Sequence, residues 1–149
     1  MSSSYVRTAI KQFLADNTNE DVVDLTSVYQ EIRELLADSN IQPDSPWLGI
    51  TFVGGVETPI ALAATNDQGK YREFGAVEFH FFDVARLAGG AALLARGEAL
   101  INLLRGSRIG DIIVDEMTMM NFDTGATLDF EGGYMSGTFS MVYRRDLDL

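Results

Sequence analysis

The chain has 149 residues and no cysteine, and its 22 acidic side chains outnumber 11 basic ones for a formal net charge of −11. Those figures exclude disulfides, thiol catalysis, zinc–thiolate sites and iron–sulfur clusters. They also disfavour tight binding of duplex DNA, whose phosphates require clustered Lys and Arg.

Hydrophobic residues make up 46% of the chain, enough for one ordinary core, so residues 1–149 read as a single domain. No apolar run approaches the roughly 20 residues that would span a bilayer. The start, Met1-Ser2-Ser3-Ser4, has neither a basic flank nor an apolar stretch, so no secretory leader and no membrane association are expected.

Taken in chain order, residues 4–15 read as a first helix. Val6, Ile10, Phe13 and Leu14 fall on one stripe of a 3.6-residue period, and Asp16-Asn17-Thr18-Asn19 ends it. Val22-Val23-Asp24-Leu25 reads as a short extended piece. A second helix is expected over 27–38, with Ser27 and Gln30 at capping-box spacing and Val28, Ile32, Leu35 and Leu36 as its stripe. Gln42-Pro43-Asp44-Ser45-Pro46 holds two prolines in five residues and reads as a loop within the domain.

Beyond it the period becomes that of strands. Trp47–Val53 and Thr58–Ala64 read as two strands, Asn66–Gly69 as a turn, and Tyr71–Phe82 as a long third strand. In that strand Val77, Phe79 and Phe81 alternate with Glu78, His80 and Phe82. Gly89-Gly90 then leads into a helix over 91–105, whose apolar face includes Leu93, Leu94, Gly97, Leu100, Ile101 and Leu104, with Gly106 as its C′ residue. Gly97 within that face suggests close approach to a sheet.

Strands follow at Ile109–Met120, Ala126–Phe130 and Tyr134–Tyr143, with turns at Phe122–Gly125 and Glu131–Gly133. The order is α-α-β-β-β-α-β-β-β. It predicts an α+β domain built on a mainly antiparallel β-sheet, with helices packed on one face.

The stretch from Trp47 to Tyr143 resembles the bacteriophage tail-terminator (tail-completion) family. The landmarks are Trp47-Leu48-Gly49-Ile50-Thr51-Phe52 as the opening strand and Gly69 before the third. Arg72-Glu73-Phe74-Gly75 leads into an aromatic strand, and Gly89-Gly90 precedes a helix carrying Ala91, Ala95 and Ala99. Residues 22–36 depart from the simplest family pattern, which has one helix before the sheet.

The resemblance implies a structural virion protein. It would form a homo-oligomeric ring, a hexamer, at the head-proximal end of the tail tube, assembled in the host cytoplasm. Its partners would be the tail-tube protein and a head-completion or neck protein, and DNA would pass through the lumen without being gripped. Neither catalytic activity nor a cofactor is implied. A tail-tube or head-completion role is an alternative within the virion.

The residues themselves leave a second alternative open, a small-molecule-binding domain or enzyme around His80, the only histidine, paired with Glu78 or Asp83. No nucleophile or oxyanion donor stands at readable spacing, so a structural role is favoured. The acids Asp111, Asp115, Glu116, Asp123, Asp129 and Glu131 match no metal-binding motif and read as a solvated sheet face. The paired glycines form no phosphate-binding signature. Phe74, Phe79, Phe81 and Phe82 lack a basic surround for stacking bases and read as core.

Met117, Met119, Met120, Met135 and Met141 suit either core or an adaptable contact surface. Arg72 with Glu73, Arg86, Arg105 and Arg108 stand at strand, loop or helix ends and are the candidate subunit-interface residues, through intersubunit ion pairs. Exposed pairs of this kind contribute only about 0–1 kcal/mol each, so they set register more than affinity.

Overall fold

The computed structural model describes residues 3–26, 32–42, 45–61, 70–84, 89–128 and 134–148. Its elements are α1 (Ser4–Asn17), β1 (Val22–Asp24), α2 (Ile32–Asp38), β2 (Trp47–Ala61), β3 (Lys70–Val84), α3 (Gly89–Leu104), β4 (Arg108–Ile109), β5 (Ile112–Met117), β6 (Asn121–Leu128) and β7 (Tyr134–Asp148). They form the expected α+β fold around one seven-stranded sheet of order β1-β2-β3-β7-β5-β4, with β6 also paired to β7. Only the β1–β2 pair is parallel among these strands.

Strand alternation decides which side chains meet. Leu48, Ile50 and Phe52 of β2 share one face with Val77, Phe79 and Phe81 of β3 and with Phe139, Met141 and Tyr143 of β7. All nine are buried, and α1 covers them with Val6, Ile10 and Leu14 while α3 adds Leu93, Leu100, Ile101 and Leu104. Full burial of each such side chain stabilises the fold by about 1.5–3 kcal/mol, so this face is the main core.

The short α2 joins a second, smaller cluster. Its Leu35 and Leu36 pack with Val23, Ile41, Trp47 and Phe82. Trp47 and Phe82 point to the opposite face of the sheet, where their rings stack 4.1 Å apart. The two long helices thus lie on one face, and α2 covers only one end of the other.

α1 is set by its ends. Ser3 Oγ accepts a hydrogen bond from the Val6 amide, and the Thr18 hydroxyl donates to the Leu14 carbonyl at 2.7 Å. The helix is tied to β1 by Asp24, which receives Arg7 at 2.9 Å and Lys11 at 2.7 Å. Burial alone would raise the Asp24 pKa, but hydrogen bonds from Lys11, Thr26 and Arg7 outweigh it and hold the carboxyl at about 2.

A depressed carboxylate contributes stability above its unfolded pKa and loses it as pH falls through the folded value. Asp24→Asn should therefore cost roughly 1–2 kcal/mol at neutral pH, after allowance for solvent screening. The gap from the parent chain should close as pH falls from about 4 towards 2. Urea denaturation of both proteins across that range checks it, and a gap independent of pH would refute the assignment.

Several expected elements change form. The two strands read over 47–53 and 58–64 are one strand, because β3 continues to pair across irregularities at Val53/Gly55 and Pro59/Ala61. Gly54 takes φ 62°, so the glycine pair makes a bulge and leaves the chain direction unreversed. The single strand read over 109–120 is interrupted by a two-residue hairpin turn at Gly110-Asp111, with Gly110 at φ 59°.

The turn read at Phe122–Gly125 falls inside β6, where the register jumps from Phe122↔Gly137 to Thr127↔Met135. The turn residues bulge out of an otherwise continuing strand. The turns read at 66–69 and 131–133, and the capping box at Ser27 and Gln30, lie outside the described residues.

Candidate functional site

The face of the sheet opposite the main core is built from cross-strand rows. Gly49, His80 and Thr138 form one row, Thr51, Glu78 and Ser140 the next, and Val53, Ala76 and Val142 the third. Glu116 of β5 extends the third row beside Val142. The row through Trp47 and Phe82 is covered by the α2 cluster, but the third row is open: Val53 is 43% and Val142 39% exposed. Phe74, two residues along β3, is 38% exposed on the same face.

Charged groups rim this apolar strip. Arg72 donates to Asp146 at 2.6 and 3.1 Å, and Arg144 to Asp115 at 2.9 Å. The hydrogen bond with Asp146 chiefly raises the Arg72 pKa. Arg72 is therefore already engaged within its own chain.

His80 sits among hydroxyls. Its Nδ1 lies 3.1 Å from Thr138 Oγ1, and its Nε2 lies 3.4 Å from both Thr51 Oγ1 and Glu78 Oε2. The expected pairing with Glu78 is present, and both ring nitrogens are engaged by cross-strand neighbours. A free imidazole poised to take a substrate proton would need one of them open.

Glu73, read as an exposed partner at a strand edge, is 2% exposed. It is in phase with Val77, Phe79 and Phe81 and so points to the core face, under the start of α1. There Oε2 accepts the Tyr143 hydroxyl at 3.0 Å and the Ser3 amide at 3.3 Å. A carboxylate at a helix N-terminus is favoured by the exposed amides and the helix dipole. Glu73 thus fixes α1 onto the sheet and does not reach a subunit boundary.

Arg105 and Arg108 are exposed at the exit of α3, on either side of Gly106, whose φ of 72° makes it the expected C′ residue. Arg108 Nε reaches the Gly110 carbonyl at 3.3 Å. Neither arginine has an acidic partner among the described residues. Arg86 lies outside the described residues.

Four of the five late methionines serve the core. Met141 is fully buried, and Met117, Met120 and Met135 pack against the main cluster, whereas Met119 is 86% exposed. Gly97 makes room for Met120, whose Sδ would lie 2.3 Å from a Cβ added there. The close approach is therefore made by a loop side chain, not by the sheet. Phe79 and Phe81 are core residues, and both stack on Phe139.

One structural residue had no functional reading from sequence. Arg96 of α3 pairs through Nε and Nη2 with Glu20, and its Nη1 donates to the Phe82 carbonyl at 2.9 Å. Nη2 also reaches the Trp47 carbonyl at 3.3 Å. The signal was available: Arg96 stands three residues after Leu93 and four before Leu100, inside the inward stripe, where an unpaired cation is costly.

No protein-family model matches the chain, and no curated protein matches it. Among the described residues no group of three or more His, Asp or Glu is placed to hold a metal ion, and no helix is long and apolar enough to cross a membrane.

Proposed function

We propose that the chain is a structural virion protein of a tailed bacteriophage. Copies form a ring, a hexamer, that caps the head-proximal end of the tail tube and joins it to the neck. The observation that carries this reading is the open sheet face, where Val53, Phe74 and Val142 are exposed together behind a rim of in-chain ion pairs. An apolar centre with a polar rim is the anatomy of a protein interface.

The sequence resemblance supplies the ring. A domain of this length has a radius of gyration of about 15 Å, so six copies in a ring enclose a hole roughly one subunit wide. The net charge of −11 suits a lumen that passes DNA without gripping it. In this role the tail-tube protein and a neck protein are the partners, the location is the virion, and the protein needs neither cofactor nor catalysis.

Negative-stain microscopy of the concentrated protein tests the reading. Closed annuli with an open centre are expected, together with no retention of duplex DNA at physiological salt. Compact single particles without a hole, or submicromolar DNA binding, would contradict it. The half-exposed His80 between two threonine hydroxyls favours a second reading, a small-ligand site on the same face. A His80 imidazole resonance that shifts with a small anion in the monomer would favour that reading over the ring.

A further inference from the structure

We infer that α3 of one copy lies across the open sheet face of the next, with its Leu94 on Val53 and its Arg105 on Glu116. The inference deepens the ring reading and rests on it, because it names the surfaces by which copies meet.

Two surfaces of the chain are left over by its own folding. The first is the cross-strand row Val53–Ala76–Val142–Glu116, three apolar residues ending in an acid. Glu116 is exposed and has no charge partner among the described residues. The second is a stripe on α3 that begins at Leu94, 38% exposed, and ends at the unpaired, exposed Arg105. Residues eleven apart return to the same side of an α-helix, so Leu94 and Arg105 share that stripe.

The two surfaces match in length and in charge. Eleven residues of helix span about 16 Å. The row from β2 to β5 crosses three strand spacings, about 14–15 Å. Laid across the strands with Leu94 over Val53, the helix brings its cation to the single acid at the far end of the row. The pairing is one arginine with one glutamate. On copies that each carry a net charge of −11, that local complementarity opposes the general repulsion.

Topology fixes the symmetry. α3 packs on the core face of its own sheet, so its outer stripe and the open row lie on different sides of the molecule. A patch that fits a different patch makes a head-to-tail contact, which closes into a ring when the rotation permits. Each sheet then gains from its neighbour the second helical layer that it lacks.

The absence of cysteine makes a crosslinking test clean. Leu94→Cys and Val53→Cys are made as separate chains and as a double variant, oxidised mildly, and resolved without reductant, with light scattering of the parent chain run alongside. The mixed single variants are expected to give a disulfide-linked dimer, and the double variant a ladder of species. Arg105→Glu and Glu116→Arg, added singly to the double variant, should each abolish the ladder, and together should restore it.

A parent chain that assembles while the mixture gives no linked dimer would overturn the contact but leave the ring reading standing. Efficient self-linking of the Leu94→Cys chain would also overturn it, by showing a symmetric contact. A parent chain that stays monomeric overturns both.

Discussion

Replacing Arg96 by leucine is expected to destabilise the fold by about 3 kcal/mol, because it leaves a carboxylate and two carbonyls without their donor. Arg96 joins three parts of the molecule that no other side chain connects in the same way. Its guanidinium pairs with Glu20 in the segment before β1, bonds the carbonyls of Phe82 and Trp47, and lies 5.3 Å from the centre of the Phe81 ring. Asp83 adds a longer contact at 4.0 Å.

Leucine fits an apolar stripe by pattern, so helix propensity predicts little change. Thermal or urea denaturation distinguishes the two expectations. A loss below about 0.5 kcal/mol would show that water replaces these bonds at no cost.

Gly75→Ala is expected to cost a similar amount, about 3 kcal/mol, by a different mechanism. A Cβ at that position would lie 2.3 Å from the Tyr143 hydroxyl oxygen and 2.5 Å from Cζ. The ring is fully buried and its hydroxyl holds Glu73, so it cannot move aside without breaking the bond that anchors α1. Trimming the ring should relieve the clash. The double variant Gly75→Ala with Tyr143→Leu should therefore lose markedly less stability than the sum of the single changes. Simple additivity in denaturation would show that the alanine acts elsewhere.

These two positions show where the sequence could be read and where it could not. Glu73 and Gly75 are in phase with Val77, Phe79 and Phe81, so extending the alternation backwards puts both on the core face. Reading stopped at the charge: a glutamate beside an arginine looks like a surface pair unless a helix N-terminus is known to lie over it. That helix is about seventy residues away in sequence, and nothing local reports it.

The helices α1 and α3 were legible because each carries a full stripe and a clear end, with Gly106 stopping α3 at positive φ. Strand limits were less legible wherever glycine or proline occurred. Gly54 and Pro59 resemble the end of one strand and the start of another, yet β2 runs through both as bulges because β3 holds the register. At Gly110 the reverse holds: the apolar pattern on either side reads as one strand, while a two-residue turn folds it back on itself.

Of the candidate interface residues, Arg105 and Arg108 are the pair that the fold leaves exposed without an acid. Arg72 is satisfied by Asp146 across two strands that pair late in the chain, a contact invisible in local sequence. The open row Val53–Ala76–Val142–Glu116 was equally hidden, since it draws one residue from each of four strands.

The claim that this chain works by docking against copies of itself is tested most directly by its mass in solution. Light scattering on the size-exclusion peak of the parent chain is predicted to give one species near six times the 16.4 kDa chain mass, unchanged over a hundredfold range of concentration. A peak at the single-chain mass throughout that range would contradict the account.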